Sequence, residues 1–445
     1  MGLSEESAGP RDPAMVAVDG RPWYDGVSKK HVRTLLAAFL GWGFDGYETY
    51  ALTVALVPIM TSLLNPGQQD DLALWGGVAV GVTLLGWAIG GVVGGALADY
   101  VGRKRVMLIS IVAYSIFTGL TALSTSLEML IALRFLTGLS LGSEWATGTA
   151  LVAETWPTRA RAKAAGFMQA GFGFGALLAS VIWLNISDLG AGAWRLLFVF
   201  GLVPALATVY IRRSVDESSK WMKARHSTQN APRQSSVRRF TLREVFADPT
   251  CRRNALLTLV LSLFTLGAYY TVSTSLPLYI KQLAAAAGRT DIPHLTSLAG
   301  ITYTTGSIIG YVAGGFVADR IGRRPYIAIY LVGSVVTTAL LYYGAGSLRS
   351  AILLAGVNGF FSLGIFAAFA IYLPELFTSS VRATAIGFVF NSTRLVACIG
   401  PIVFGSMVLS FGGPERAAMI IGSTFLIGLL VLPWLPETRG TELPA

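Results

Sequence analysis

Long apolar stretches alternate with short polar ones along most of the chain. A helix needs roughly 20 mostly apolar residues to cross the ~30 Å hydrocarbon core of a membrane. Twelve stretches reach that length, and we number them segments 1 to 12. The pattern therefore predicts an all-α membrane protein with twelve transmembrane helices. The expected spans are 35–62, 74–98, 106–124, 128–152, 163–187, 194–211, 254–284, 296–318, 326–345, 350–373, 384–410 and 415–435.

Two polar motifs occur twice, and both repeats have nearly the same spacing. Residues 95–105, after segment 2, resemble residues 315–325, after segment 8, at an offset of 220. Residues 153–161, after segment 4, resemble residues 374–382, after segment 10, at an offset of 221. Two independent motifs at one offset indicate an internal duplication. We therefore expect two pseudo-symmetric six-helix bundles.

The polar stretch between segments 6 and 7 separates the two halves, and its length fits a linker rather than an added domain. The predicted organisation is an N-terminal tail (1–32), an N-terminal bundle (33–212), a linker (213–252), a C-terminal bundle (253–435) and a C-terminal tail (436–445). Within the linker, a short helix is expected around residues 241–247.

Composition agrees with a membrane protein. Hydrophobic residues make up 53% of the chain and charged residues only 13%, whereas a soluble domain carries about 25% charged residues. Residues 1–30 are polar and have no apolar core, so no signal peptide is expected. Cys251 and Cys398 form no disulfide or metal-binding pattern, and no cofactor or catalytic motif occurs. Nothing in the sequence indicates an enzyme, a metal site or a cofactor.

The net charge of +10 reflects topology. If the N-terminus is cytoplasmic, 27 of the 34 Lys and Arg residues fall in cytoplasmic tails and loops, five lie outside and two lie within the membrane. This asymmetry is the positive-inside pattern, so both termini are expected in the cytoplasm. The basic balance therefore does not indicate a nucleic-acid partner. The short outer loops favour a bacterial inner membrane.

The duplicated motif and the six-plus-six layout resemble the major facilitator superfamily, over roughly residues 33–439. The resemblance implies two bundles around a central cavity that opens alternately to either side, usually in a monomer. Residues 142–157 resemble sialate and metabolite proton symporters. Residues 44–48 and 391–394 resemble aromatic-acid:proton symporters, while residues 436–440 resemble sugar-porter and organic-ion branches.

Segment 1 carries two acidic residues, Asp45 and Glu48, near its middle. Their spacing places them on one helical face. An ionised carboxylate at that depth costs at least ~2.5 kcal/mol, and two of them repel each other. At least one should therefore hold a proton near neutral pH, as proton coupling requires. The alternative is a structural ion pair with an arginine on a neighbouring helix.

Segment 4 carries Arg134 and, ten residues later, Glu144. Ten helical residues rise ~15 Å, so these two side chains should not pair with each other. Arg134 resembles the segment 4 arginine that the superfamily uses in proton transfer. Glu144 is a rival to Asp45 as proton carrier. The predicted proton-coupling group is therefore Asp45, Glu48, Arg134 and Glu144.

Arg394 is the deep basic residue of segment 11. Either it pairs permanently with an acid of segment 1 or 4, or its planar fork receives a substrate carboxylate. Its duplication equivalent is Gly173, so the architecture alone does not require an arginine there. Gln169 fits a helix–helix hydrogen bond as well as a substrate contact. The predicted substrate-binding group is Arg394, Asn391, Tyr47, Tyr270, Gln169 and Phe361.

The duplicated motifs also predict a gate. By resemblance to the superfamily, their charged residues form networks between helices that close the cytoplasmic side, and they are not ligands. The predicted gating residues are Asp99, Arg103, Glu154 and Arg161 in the first half, and Asp319, Arg323, Glu375 and Arg382 in the second.

Together these features predict a proton-coupled secondary transporter that imports a small organic anion, such as an aromatic acid, a sialate or another monocarboxylate. One alternative is a proton antiporter that exports a metabolite or drug, with Arg394 only in a salt bridge. Another is a sugar-porter-like symporter of a neutral solute. A non-transporting sensor is disfavoured because the linker and tails supply no added domain.

Overall fold

The computed structural model describes residues 22–203, 206, 216–223 and 241–444, and every regular element in these ranges is helical. The expectations for residues 1–21, for the end of segment 6 and for most of the linker fall outside the described residues. Of the linker, the helix Thr241–Ala247 lies where it was predicted.

The helices of the first half follow the predicted order. Segment 1 is Lys29–Val54 continued by Leu56–Leu63, segment 2 is Leu72–Val101, segment 3 is Arg103–Thr121, segment 4 is Leu127–Thr155, segment 5 is Thr158–Ile186, and the described part of segment 6 contains Ala193–Phe200. Short 3₁₀ helices at Pro66–Asp71 and Ser187–Leu189 lie in two of the connections.

The second half repeats this layout, with more interruptions. Segment 7 is Pro249–Ala286, segment 8 is Ile292–Ile321, segment 9 is Arg323–Tyr343, segment 10 is Leu348–Ser362 with Phe366–Leu376, segment 11 is Arg382–Ser392 with Arg394–Ala397 and Gly400–Phe411, and segment 12 is Pro414–Gly422 with Ser423–Leu426, Ile427–Val431 and Leu432–Trp434.

Seven of the described helices are long and apolar enough by themselves to cross a membrane, or eight if the bent segment 11 counts as one span. Segments 1, 4 and 8 are also long but less apolar. In segments 1 and 4, buried acidic and basic side chains lower the mean hydropathy. The helices that a composition test misses thus include those with the most chemistry.

Segment 7 begins earlier than the predicted residue 254. The side chain of Asp248 accepts a hydrogen bond from the backbone N–H of Cys251 at 2.6 Å, and Pro249 occupies the first helical turn. An acidic N-cap followed by proline is a strong helix start. The predicted linker 213–252 therefore gives way to helix at Pro249.

The two halves touch closely at one end, which carries the loops after segments 2, 4, 8 and 10 and which we call the basic end. Segment 2 packs on segment 11 there, and segment 5 packs on segment 8. A Cβ atom added at Gly95 would lie 2.5 Å from the carbonyl oxygen of Ala383. One added at Gly315 would lie 2.7 Å from that of Ala162. Glycine thus lets the two halves meet backbone to backbone.

Segment 11 is broken near its middle. Its first helix ends at Ser392, a short helix starts at Arg394, and the axis bends by 44° farther along. Interrupted membrane helices are typical of transporter binding sites, because their freed backbone groups face a cavity or a polar side chain. Arg394, at the start of the short helix after the break, is therefore a candidate site residue.

Candidate substrate and proton sites

Arg394 is nearly buried, with 4% of its surface exposed. Its Nη1 donates to the carbonyl oxygen of Phe390 at 3.1 Å and to Oδ1 of Asn391 at 3.0 Å. The guanidinium carbon lies 4.4 Å from the ring centroid of Trp87 and 4.7 Å from that of Phe390. Within the described part of the chain no carboxylate forms an ion pair with it. Aromatic faces, rather than an anion, hold this cation in place.

Several hydrogen-bond donors around Arg394 have no acceptor among the described residues. They are Nε of Arg394, Nδ2 of Asn391 and Nε1 of Trp87, and all three are buried. The side chain of Asn391 rests on segment 2, where a Cβ atom at Gly91 would lie 2.1 Å from its Cγ. A buried donor without an acceptor costs about 1–3 kcal/mol. An anion with several acceptor atoms would satisfy this cluster.

Asp45 and Glu144 are fully buried, and none of their four carboxyl oxygens has a hydrogen-bond partner among the described residues. Glu144 lies against segment 1, where a Cβ atom at Gly41 would come within 2.0 Å of its Oε1. Asp45 is within electrostatic range of Glu144, Glu48 and Arg394. A buried ionised carboxylate that lacks a hydrogen-bond donor is strongly disfavoured. Both carboxyl groups are therefore candidates to hold a proton.

Glu48 has a different environment, because it forms a close ion pair with Arg134. Nη2 of Arg134 also donates to the hydroxyls of Thr121 at 2.7 Å and Thr137 at 3.2 Å, and the guanidinium carbon lies 4.8 Å from the centroid of the Phe198 ring. Glu48 thus follows the alternative that the sequence left open, an ion pair with an arginine of a neighbouring helix. As expected from their spacing, Arg134 and Glu144 do not pair.

We expect Glu48→Ala to lower the thermal unfolding temperature much more than Asp45→Asn does. Removing Glu48 leaves the buried Arg134 charge without its counter-ion, and breaking a buried pair typically costs about 3–5 kcal/mol. Asp45 has no hydrogen-bond partner among the described residues, so its replacement by Asn breaks no such contact. Melting curves of the purified variants test this prediction, and equal shifts for both variants would contradict the ion-pair role of Glu48.

Two residues that were predicted to bind substrate lie away from Arg394. Tyr47 donates its hydroxyl hydrogen to the carbonyl oxygen of Leu197 at 2.7 Å, between segments 1 and 6. It is two residues from Asp45, so it projects from a different face of the helix. Phe361 packs between segments 9 and 10, against Tyr330 and the backbone of Gly333. Neither placement brings the side chain to Arg394.

The other candidates lie close to the site. Oε1 of Gln169 accepts a hydrogen bond from Nε1 of Trp145 at 2.9 Å, and its side chain is in polar contact with Tyr311 of segment 8. Gln169 thus makes the helix–helix contact that the sequence allowed, here between the two halves. Tyr270 is partly buried next to Tyr269, at 5.2 Å between ring centroids, and lies within electrostatic range of Arg394.

The sequence analysis missed the aromatic residues that surround Arg394. Trp87 and Phe390 hold the guanidinium, and Trp145 stacks on Phe390 with ring centroids 3.8 Å apart. Trp145 belongs to segment 4 and Phe390 to segment 11, so this stack joins the two halves. An aromatic residue inside an apolar segment gives little sign of whether it faces lipid or the protein interior.

All eight predicted gating residues lie at the basic end, where their ion pairs form two clusters of four residues each. In the first half, Nη2 of Arg103 lies 2.9 Å from Asp99 and 3.3 Å from Glu154. The second half repeats the arrangement, with Arg323 at 3.1 Å from Asp319 and 2.8 Å from Glu375. The internal duplication therefore extends to individual ion pairs.

Other contacts of this network cross between the halves. Nη1 of Arg382 lies 2.7 Å from Glu154, and Nη1 of Arg161 lies 3.8 Å from Glu375. Asp99 accepts hydrogen bonds from the backbone N–H of Thr384 at 2.8 Å and from its hydroxyl at 2.6 Å. The four side chains of the two ion pairs are almost completely buried, namely Arg382, Glu154, Arg161 and Glu375. The contacts hold the two bundles together at the basic end.

A cross-bundle contact at the position equivalent to Thr384 has different chemistry. The equivalent residue, 221 positions earlier, is Lys163. Its ammonium forms a close ion pair with Asp319 and lies 5.6 Å from the ring centroid of Phe316. The network is thus symmetric in position but not in charge.

Two further acidic residues of the network were not predicted. Glu217 accepts a hydrogen bond from the backbone N–H of Arg103 at 3.1 Å, and Glu437 accepts one from that of Arg323 at 2.9 Å. In each case the N–H donor is the residue after a glycine in the left-handed region, Gly102 at φ +118° and Gly322 at φ +101°. Glu217 and Glu437 are 220 residues apart, so the duplication offset was a signal for them.

Residues 34–444 match the family model described as sugar (and other) transporter. The chain belongs to this family. The transporter also has the fold of the proton:xylose symporter XylE, solved with bound 6-bromo-6-deoxy-D-glucose. The TM-score is 0.78 at 19% identity, over 93% of this chain and 98% of that one. The protein is therefore a multi-pass membrane transporter of the major facilitator superfamily, and it is not an enzyme. The described residues include all or part of each of the twelve predicted segments.

Several relatives resemble the transporter over nearly its whole length. A probable 4-methylmuconolactone transporter of Cupriavidus pinatubonensis is 32% identical, over 94% of this chain and 93% of that protein. The cis,cis-muconate transport protein of Acinetobacter baylyi is 30% identical, over 88% and 91%. The sialic acid transporter NanX of Escherichia coli is 29% identical, over 92% and 95%.

Proposed function

We propose that this transporter imports a small organic carboxylate together with protons by alternating access. The observation that carries the proposal is that two kinds of buried group near the middle of the molecule lack a partner. Arg394 is a buried cation without a carboxylate partner among the described residues, and Asp45 and Glu144 are buried acids without donors. An anion would satisfy the first, and protons satisfy the second.

The chemistry around Arg394 favours an anionic substrate over a neutral one. A neutral sugar would leave the buried guanidinium charge uncompensated. A carboxylate would accept from the Arg394 fork and from Nδ2 of Asn391, while Tyr270 would contact the body of the substrate. The names of the relatives agree with an anionic substrate, since muconate and sialic acid are organic acids.

The acids near Arg394 supply the proton side of the cycle. Asp45 and Glu144 are the candidates to carry the proton, because Glu48 is already neutralised by Arg134. The Glu48–Arg134 ion pair would assist, because Arg134 neutralises Glu48 and no further uncompensated charge then acts on the site. The export alternative needs a permanent salt bridge on Arg394, which the described residues do not provide.

The basic end corresponds to the cytoplasmic side under the positive-inside rule. Both termini would then be cytoplasmic, in a bacterial inner membrane, and the structure would be a state closed to the cytoplasm by the charge network. The bundles 33–212 and 253–435 would rock about the Arg394 site, most simply within a monomer. Opening requires the Arg382–Glu154 and Arg161–Glu375 contacts to part.

Proton movement in proteoliposomes tests the proposal. An internal pH dye would follow the addition of benzoate, nicotinate, cis,cis-muconate, N-acetylneuraminate and the neutral sugar D-xylose. We expect at least one acid to acidify the lumen, faster when the external medium is acidic. Protein-free liposomes control for passive entry of the undissociated acid. Acidification with D-xylose alone, or acid uptake that does not change with pH, would contradict proton-coupled carboxylate import.

A further inference from the structure

We propose that the carboxylate of Asp45 and the carboxylate of the transported acid are alternative partners of the Arg394 guanidinium. Protonation of Asp45 would then free Arg394 for the substrate, and loss of that proton would displace the substrate. The inference rests on the proposed function, because it takes Arg394 as the substrate's anchor. It selects Asp45, rather than Glu48 or Glu144, as the residue that links proton and substrate.

A pair of tryptophans connects Asp45 to Arg394. Trp42 lies three residues before Asp45, on the same face of segment 1. Its ring centroid is 6.1 Å from that of Trp87, and the Trp87 ring supports the Arg394 guanidinium at 4.4 Å. The face of segment 1 that bears Asp45 is therefore directed toward the same aromatic floor as Arg394. Across this floor the two charges interact electrostatically.

The other cation near Asp45 is Arg134, and it already has a counter-ion. Glu48 neutralises Arg134, whose guanidinium also donates to two threonine hydroxyls. An ionised Asp45 would therefore have Arg394 as its available counter-ion within the described part of the chain. The remaining ionisable groups that face this pair are Glu48 of segment 1, Tyr114 of segment 3, Glu144 of segment 4, and Tyr269 and Tyr270 of segment 7.

The aromatic clamp explains how Arg394 can serve two partners in turn. Cation–π contacts are worth about 2 kcal/mol when desolvated, less than a buried ion pair. The rings of Trp87 and Phe390 would hold the guanidinium when no anion is present but would not outcompete one. Nε of Arg394 has no acceptor in this structure, so part of the fork is available.

Competition for one cation makes substrate binding and proton binding mutually favourable. Such linkage is reciprocal: a proton on Asp45 raises substrate affinity, and bound substrate raises proton affinity by the same factor. With one linked proton, the substrate Kd should increase about tenfold for each pH unit above the transition. In the cytoplasm, loss of the proton would create the anion that expels the substrate. Glu144 is the matched control, since it is equally buried and its carboxyl oxygens likewise have no hydrogen-bond partner among the described residues.

Equilibrium binding at two pH values tests the inference. The Kd of benzoate, nicotinate, cis,cis-muconate and N-acetylneuraminate would be measured by calorimetry with the purified transporter at about pH 5.5 and about pH 8. We expect the wild type to bind its acid at least about tenfold more weakly at the higher pH. Asp45→Asn should keep the low-pH affinity at both values, whereas Glu144→Gln should retain the wild-type dependence of Kd on pH.

The outcomes separate this inference from the proposed function. If the wild type binds none of the four acids, the proposed function fails as well. If an acid binds but Asp45→Asn keeps the wild-type pH dependence, or Glu144→Gln removes it, the competition at Arg394 is wrong and carboxylate transport stands. A measurement on the wild type does not depend on the folding of a variant. In weakly buffered solution near pH 8, binding should take up about one proton per acid molecule, and no uptake would overturn the inference.

Discussion

Arg394→Ala is expected to abolish uptake of the transported acid, and Arg394→Lys is not expected to restore it. Removing one member of a buried charge pair costs about 2–5 kcal/mol, which corresponds to a loss of at least about thirtyfold in affinity. Lysine retains the charge but has no planar fork for a carboxylate, and it cannot stack flat between the rings of Trp87 and Phe390. Initial uptake rates, normalised to the amount of protein in the membrane, would measure the effect.

Arg195 offers a matched control for this prediction. Its guanidinium lies 4.3 Å from the ring centroid of Trp194 and donates to the carbonyl oxygens of Ala122 and Ser124. It therefore shares the stacked arginine geometry without belonging to the Arg394 site. We expect Arg195→Lys to retain transport. Wild-type uptake by Arg394→Lys would show that a point charge is enough and would remove the argument for bidentate binding.

Gly315→Leu is expected to slow transport strongly while leaving substrate binding intact. A Cβ atom at position 315 would lie 2.7 Å from the carbonyl oxygen of Ala162 and 2.8 Å from Cα of Lys163. Backbone atoms cannot move aside, so segments 5 and 8 would have to separate and the basic end could not close. We expect the transport rate to fall more than about tenfold, a barrier increase of about 1.4 kcal/mol or more.

Gly300 on the same helix provides the control, because a Cβ atom there meets nothing within 4 Å. Gly300→Leu should transport at close to the wild-type rate. Gly95→Leu should repeat the defect of Gly315→Leu, since Gly95 is the duplication equivalent and meets the carbonyl oxygen of Ala383 at 2.5 Å. Normal transport by Gly315→Leu would mean that the contact between segments 5 and 8 is not needed in the cycle.

The fold could be predicted from the sequence because its two determinants are one-dimensional. Lipid requires long apolar helices, which are visible as runs, and duplication is visible as a constant offset. The same offset relates the ion pair Arg103–Asp99 to the ion pair Arg323–Asp319, and in each pair the two residues lie four positions apart on the chain. The same offset relates Glu217 to Glu437, which the sequence analysis did not exploit.

The partners of buried charges were harder to predict, because they depend on how the helices are rotated against one another. Spacing placed Asp45 and Glu48 on one face but could not tell which of them meets Arg134. Tyr47 was expected at the substrate site and packs against segment 6 instead. For Arg394, the sequence correctly stated the choice between an ion pair and a free fork. In the structure the Arg394 guanidinium lies over the ring of Trp87, an aromatic residue with no distinguishing pattern in the sequence, and the carboxylate-binding role stays a prediction.

The Lys163 and Thr384 pair has an evolutionary consequence. Two separate copies of a six-helix unit assembled as a symmetric homodimer must present the same residue on both sides of every contact. Fusion of the copies into one gene removes that constraint, so each side can mutate alone. Here one side bonds Asp319 through an ammonium, and the other bonds Asp99 through a hydroxyl and a backbone N–H. A difference of this kind between the two halves is therefore open to a fused chain and closed to a symmetric homodimer.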